Sequence, residues 1–204
     1  MLVLAAAQYH ADITTGSLMP LESRRIAALL LTEPDAAAWC QAIETDNLLQ
    51  KNTLATARRQ AALIRKRLLL LDAPGWQMIC ERESEVQLQL LLAAAALHSA
   101  LLSDFLRNVY AMRQHRLEPA LAAQDWPDFL ADCAHHDPAV ANWTAATRAK
   151  LREVIVRILV EAKYLDNARH MKLTPQSLHP DVRRYLAARY APSFIDCLER
   201  APWR

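Results

Sequence analysis

Glycine is almost missing from this chain: in 204 residues it occurs only at Gly16 and Gly75. A loop that cradles phosphate needs several glycines so that backbone N–H groups can approach the anion, which excludes nucleotide loops of the GxGxxG and Walker kinds. There is no GxSxG elbow and no HExxH pair either, so the usual serine-hydrolase and zinc-protease signatures are absent. Cys40, Cys80, Cys133 and Cys197 stand far apart with no CxxC pair. The opening MLVLAAAQYHAD is apolar without a basic n-region and does not read as a leader, so the four read as reduced core thiols of a cytoplasmic protein. No Asn-Gly or Asp-Gly dipeptide marks a hairpin, whereas Ala and Leu crowd nearly every segment. That combination predicts an all-α protein.

Long apolar runs are also lacking. Residues 86–103 carry no formal charge, but Gln87, Gln89, His98, Ser99 and Ser103 interrupt them, and the wholly apolar part is 90–97. That is far short of the ~20 residues needed to cross a bilayer. The stretch reads as a central core helix with His98 as a hydrogen-bonded core histidine. With 53% hydrophobic and 23% charged residues, the composition is that of an ordinary globular protein, able to bury about 70% of its unfolded surface. It suits an N-terminal lobe over residues 1–75 and a C-terminal lobe over 76–204, or one continuous domain, and a monomer.

One absence is local. Residues 47–71 hold six bases, Lys51, Arg58, Arg59, Arg65, Lys66 and Arg67, and no acid, in a chain of net charge +2. Leu54, Ala57, Ala61, Ile64, Leu68 and Leu71 recur at three- and four-residue steps, the stripe of a helix beginning after Thr53. At 100° per residue Arg58 and Arg65 fall beside that stripe, and Arg59 and Lys66 lie further round. Solvated helix faces usually interleave both signs. Lys66 and Arg67 suit the negative end of the helix dipole, but Arg58 and Arg59 lie in the first half, where no dipole accounts for them. The face reads as a phosphate site. Along the chain the charge runs in blocks: −4 over residues 1–46, +6 over 47–71, −6 over 72–137 and +6 over 138–204. If the two basic blocks meet in space they form one electropositive surface.

The remaining segments read as helices. Pro20 opens one to about residue 31, with Ile26, Leu29 and Leu30 inward. Thr32, before Pro34 and Asp35, reads as the cap of a second, which buries Trp39 and ends near 45. With the basic helix third, the spacing is that of a helix-turn-helix-like unit. Asp104 to about 116 continues as helix with Phe105, Leu106, Val109 and Met112 on one side. A helix from Asp125 buries Trp126, Phe129, Leu130 and Cys133 and stops at His135-His136-Asp137-Pro138. Cys133, His135, His136 and Asp137 are metal-ligand types, but four within five residues match no zinc spacing, and no metal or other cofactor is expected. Thr144 opens the longest helix of the second half, with Leu151, Val154, Ile155, Ile158, Leu159 and Ala162 inward and Arg148, Lys150, Arg152 and Arg157 mostly outward. A polar excursion then carries Arg169, His170 and Lys172, in a position that would suit a wing-like contact. Short helices begin at Pro180 and Pro192.

The motifs Asn47-Leu48-Leu49-Gln50-Lys51, Thr56-x-Arg58-Arg59 and Arg65-x-Arg67-Leu68, with Asp104-Phe105-Leu106 and Asp125-Trp126-x-x-Phe129, resemble those of the BrxA family of BREX bacteriophage-defence systems. So does the tract Trp143-x-x-x-Thr147-x-x-Lys150-Leu151-Arg152, with Leu159-x-Glu161-x-x-Tyr164-Leu165 after it. Where the family often has Gly between the Glu and Tyr of that last tract, Lys163 stands here. The resemblance implies a globular helical bundle similar to the NusB antitermination fold, with an electropositive surface that binds double-stranded DNA. It also implies a role beside other BREX proteins, among them a methyltransferase and an ATPase. Some members have carried an inner-membrane label, against which the interrupted apolar run argues.

Residues and resemblance together lead to a non-enzymatic DNA-binding accessory protein. Lys51, Arg58, Arg59, Arg65 and Lys66 neutralise phosphates, and Arg148, Lys150, Arg152, Arg169 and Lys172 form a second patch. Five engaged phosphates would give a log–log salt slope of roughly −4 to −5. The alternative is an adaptor that docks acidic surfaces of BREX components on the same face. RNA binding rests only on fold analogy, and few stacking aromatics lie near the basic helix.

Overall fold

The computed structural model describes residues 9–199. Helix α1 (Pro20–Leu31) starts on its proline, whose missing N–H costs nothing in a first turn. Helix α2 (Ala36–Cys40) is capped by Asp35, whose Oδ1 accepts the Ala38 N–H at 2.7 Å, and runs into a π turn at Gln41–Thr45. Thr32, expected to cap α2, instead closes α1: its hydroxyl donates to the Leu29 carbonyl at 2.7 Å. Helix α3 (Leu54–Leu68) is capped by Thr53 and α4 (Ala73–Glu81) by Asp72. Helix α5 (Ser84–His98) is apolar nearly all round, and Leu90 to Ala96 are all buried, as such a helix must be.

The uncharged run does not continue as one helix. Ser99 is extended, and its Oγ accepts the Leu102 N–H at 3.3 Å, starting α6 (Ala100–Phe105). A π turn, Leu106–Tyr110, leads into α7 (Ala111–His115). There the inward face departs from the 3.6-residue pattern: Tyr110 is buried and Met112 is 44% exposed, because a π turn inserts one extra residue and shifts the phase of the residues beyond it. Then come α8 (Asp125–His136), a 3-10 turn at Pro138–Asn142, α9 (Ala145–Glu161), α10 (Pro180–Ala187) and α11 (Pro192–Leu198). The protein is all-α. Among the described residues there is no sheet, only isolated bridges pairing Ala120 with Lys172 and Leu165 with Leu173, and no single helix is long and apolar enough to cross a membrane.

The chain divides into two compact units, and they are not consecutive blocks. The first is residues 15–98 with 179–189; the second is residues 9–14, 99–178 and 190–199. Within the first unit α5 packs on α1, α3 and α4. Helix α10 belongs to the first unit. The His179 N–H donates to Gln89 Oε1 at 2.8 Å, Arg82 pairs with Asp181 at 3.1 Å, and the Tyr185 hydroxyl donates to Asp72 at 2.7 Å. Gly75 serves this packing and no turn: a Cβ there would lie 2.5 Å from the Tyr185 hydroxyl.

In the second unit Phe105 packs edge-on against Phe129 at 5.3 Å and beside Trp126 at 5.9 Å, geometries that aromatic quadrupoles favour. The expected inward residues of α9, Leu151, Val154, Ile155, Ile158 and Leu159, are all buried, each contributing about 2 kcal/mol of hydrophobic stabilisation. Tyr110 donates to the Tyr164 carbonyl at 2.8 Å, and Tyr164 to that of Leu198. Burial pushes the Tyr110 phenol up to about 12. Only Cys133 and Cys197 are core thiols; Cys40 is exposed and Cys80 half-buried.

Candidate nucleic-acid interface

The Thr53 hydroxyl accepts the Thr56 N–H at 3.2 Å and fixes where α3 begins. Ala57, Ala61, Leu63, Ile64 and Leu68 then face the core of the first unit, whereas Leu54 is 43% exposed and lies outside the seam. Burying that stripe orients the opposite side, so Ala55, Arg58, Arg59, Ala62, Lys66 and Leu69 all face solvent. The Trp76 indole N–H, donating to the Leu68 carbonyl at 2.7 Å, satisfies one of the acceptors left open at the helix end.

The cations of residues 47–71 are not equivalent. Arg58 is held by Glu44: Nε–H donates to Oε1 at 2.8 Å and Nη2–H to Oε2 at 2.5 Å. That hydrogen-bonded pair raises the Arg58 pKa and holds Glu44 below the usual carboxylate range. Lys51 is paired with Glu22 at 2.5 Å, both side chains about one-fifth exposed. Burial pushes Glu22 up, but hydrogen bonds from Lys51 and its own backbone outweigh this and leave it lowered. Arg67 is buried, donating to the Ser17 carbonyl at 2.5 Å and the Gly16 carbonyl at 3.0 Å. Its role is to anchor the lead-in of the chain. Arg65 lies over the Trp39 ring with its guanidinium carbon 4.4 Å from the centroid, a cation–π contact. Arg65, Arg59 and Lys66 have no carboxylate partner among the described residues.

The second patch lies in the second unit. Arg148 donates to the Trp143 carbonyl at 3.0 Å and the Ala141 carbonyl at 2.8 Å, tying down the turn before α9. Lys150 is paired with Glu153 at 2.9 Å, and Glu153 also takes Arg157. Arg152 reaches the Met171 sulfur at 3.6 Å, beside a small pocket lined by Phe105, Trp126 and Ile155. Arg169, His170 and Lys172 are exposed on an irregular loop. Its shape is set by Asp166, which accepts the Lys172 N–H at 2.8 Å, and by Asn167, which accepts those of Arg169 and His170.

Sequence reasoning missed Glu22, Glu44 and Trp39 as parts of this face. The available signal was the −4 block just before the basic run, which holds both acids. The π turn at Gln41–Thr45 places Glu44 against Arg58, with Ile43 buried behind it. Among the described residues no group of three or more His, Cys, Asp or Glu side chains is arranged to hold a metal. Asp137 is engaged otherwise, accepting the N–H groups of Tyr9 at 2.9 Å and Ala139 at 3.0 Å.

Comparison with known proteins places this architecture. The BrxA family model matches residues 7–190. The chain is 36% identical over 196 residues to a BREX protein BrxA of Paramagnetospirillum magneticum, covering 96% of this chain and 98% of that one. It is 35% identical over 188 residues to a BREX protein BrxA of Escherichia coli O9:H4, covering 92% and 88%. A crystal structure of an uncharacterized protein from Magnetospirillum magneticum matches with a TM-score of 0.85 at 35% identity, over 95% of this chain and 99% of that one. The chain belongs to the BrxA family of BREX phage-defence systems.

Proposed function

We propose that this protein serves its BREX system by binding the backbone of double-stranded DNA through the solvent face of α3. The observation that carries this reading is a trio, Arg59, Arg65 and Lys66, along one rigid helix with no carboxylate within ion-pair reach among the described residues. Arg59 and Lys66 are two turns apart, about 10 Å along the axis, and α3 is held in place by its buried stripe. As the third helix of a helix-turn-helix-like order, α3 lays this face against the duplex. Lys51 and Arg58 contribute less than their charges suggest, since each already has a counter-ion. Arg169 and Lys172, on their preformed loop, are a separate patch of the same kind, and Arg148, Lys150 and Arg152 are subsidiary because each is already engaged.

Backbone contacts supply affinity and register with little sequence preference. Three released counter-ions give a log–log salt slope of about −3 from α3, shallower than five free cations would give. The test is duplex binding across a salt series, by the native chain and by Arg59→Ala, Arg65→Ala, Lys66→Ala combined. A loss of most of the α3 slope in the folded triple variant is expected. An unchanged slope would remove α3 from the interface.

A further inference from the structure

The solvent side of α3 is not only cationic. Between α3 and the end of α2 runs an open groove of about 370 Å³, lined by Trp39, Ile43, Ala62 and Leu69, with Arg58, Arg65, Lys66 and Glu44 on its rim. Its floor is apolar, and Leu69 is 53% exposed. Arg65 lies over the Trp39 ring at the groove edge. Glu44 is matched by Arg58, so the uncompensated charge on the rim is that of Arg65 and Lys66.

We infer that this groove is a docking site for a protein partner presenting a short acidic amphipathic segment, one large apolar side chain seated between Trp39 and Leu69 and carboxylates on Arg65 and Lys66. Charge complementarity selects an acidic occupant, and the floor selects a peptide over a nucleic-acid backbone. A phosphodiester strand satisfies the cations but leaves Trp39, Ala62 and Leu69 without apolar cover, whereas an anchored segment covers both. Planar carboxylate also matches the guanidinium fork, and an amphipathic segment laid between two helices is a common mode of peptide recognition. Arg58, Arg65 and Lys66 line the groove and Arg59 does not, although at 100° per residue Arg59 lies only about 20° round from Lys66. Both occupants would use Arg65 and Lys66, so the two readings are told apart by the apolar floor, which only the peptide engages.

The experiment uses the full chain labelled with ¹⁵N, its Trp39 indole signal assigned with Trp39→Phe. The probe is a synthetic amphipathic peptide carrying Leu on one face and Glu on the other, with a Lys-for-Glu and a Ser-for-Leu version as controls. The acidic peptide is expected to move the Trp39 signal saturably, and the controls are not. Affinity is expected to fall about tenfold or more in Arg65→Met, Lys66→Met, the loss typical of a truncated anchor contact. It should also fall in Ala62→Gln, which fills the groove while leaving the cations in place. No movement of Trp39 at about 1 mM peptide, where even a weak complex with a Kd of about 1 mM is half formed, overturns the inference. So does equal movement by the Ser-for-Leu control, or movement by duplex DNA and not by the peptide. Failure of the peptide with a normal DNA salt slope leaves the nucleic-acid reading standing, and the converse outcome separates the two in the other direction.

Discussion

Arg58 and Glu44 face each other in a two-bond clasp, Nε to Oε1 at 2.8 Å and Nη2 to Oε2 at 2.5 Å, with the Arg58 side chain still 57% exposed. A carboxylate in that position does two things to a polyanion approaching α3. It occupies the fork that would grip a phosphate, and it adds a negative charge to the face. Glu44→Gln should therefore raise duplex affinity and steepen the salt slope by about 1, one more counter-ion being released. Parallel salt titrations of both proteins measure this, and an equal slope would mean that Arg58 takes no part in binding.

The opposite holds for Arg67, which belongs to the same basic run but lies in the interior, its guanidinium donating to the Gly16 and Ser17 carbonyls. Arg67→Leu keeps the apolar stem and removes the donors, stranding two carbonyls at about 1–3 kcal/mol each. A loss of about 2–4 kcal/mol in a urea melt is expected, with the salt slope of DNA binding unchanged in the protein that remains folded. A variant as stable as the parent would show that the two carbonyls find other donors.

How much of this was legible in the sequence depended on whether the cause was local. The buried stripes of α3, α8 and α9 obey the 3.6-residue period, and Ala57, Ala61, Ile64 and Leu68 sit where that period puts them. The two π turns broke the period without a sequence mark: nothing in Leu106–Tyr110 announces an extra residue, so Tyr110 takes the inward place expected of Val109. The candidate site was half legible. Counting charges found the basic run, but a charge count cannot distinguish Arg67, buried on carbonyls, from Lys66, facing water. Nor can it show that Glu22 and Glu44, 29 and 14 residues before their partners, fold back onto Lys51 and Arg58.

Lys163 has φ 63° just after α9, in the left-handed region where a Cβ crowds the next carbonyl at a cost of roughly 1–2 kcal/mol. Its own carbonyl accepts from the Thr174 hydroxyl at 2.7 Å and Gln176 Nε2 at 2.9 Å, contacts of the backbone that survive loss of the side chain. Lys163→Gly should therefore stabilise the protein, with the relief of strain partly offset by the greater freedom of glycine in the unfolded chain. A gain of about 0.5–1 kcal/mol in a denaturant melt is expected. A loss would indicate that the lysine side chain contributes more than the strain it carries.

The four thiols differ in burial, which makes them reporters of folding. Burial pushes Cys133 and Cys197 up to about 11, against about 8.5 for a thiol in the unfolded chain. Both are therefore protonated and enclosed in the native protein at pH 8, whereas Cys40 is exposed. A chromogenic disulfide reagent at that pH should label Cys40 first and Cys80 more slowly, leaving Cys133 and Cys197 unreacted until denaturant is added. The raised values also fix a pH dependence. A group whose folded pKa exceeds its unfolded one contributes stability that is complete below about 8.5 and is lost as pH rises through about 11. The urea midpoint should fall across that window, and less so in Cys133→Ala, which no longer has a thiol to ionise. An equal fall in both proteins would assign the alkaline loss to other groups, first Cys197, which lies at the same value, and then the buried Tyr110.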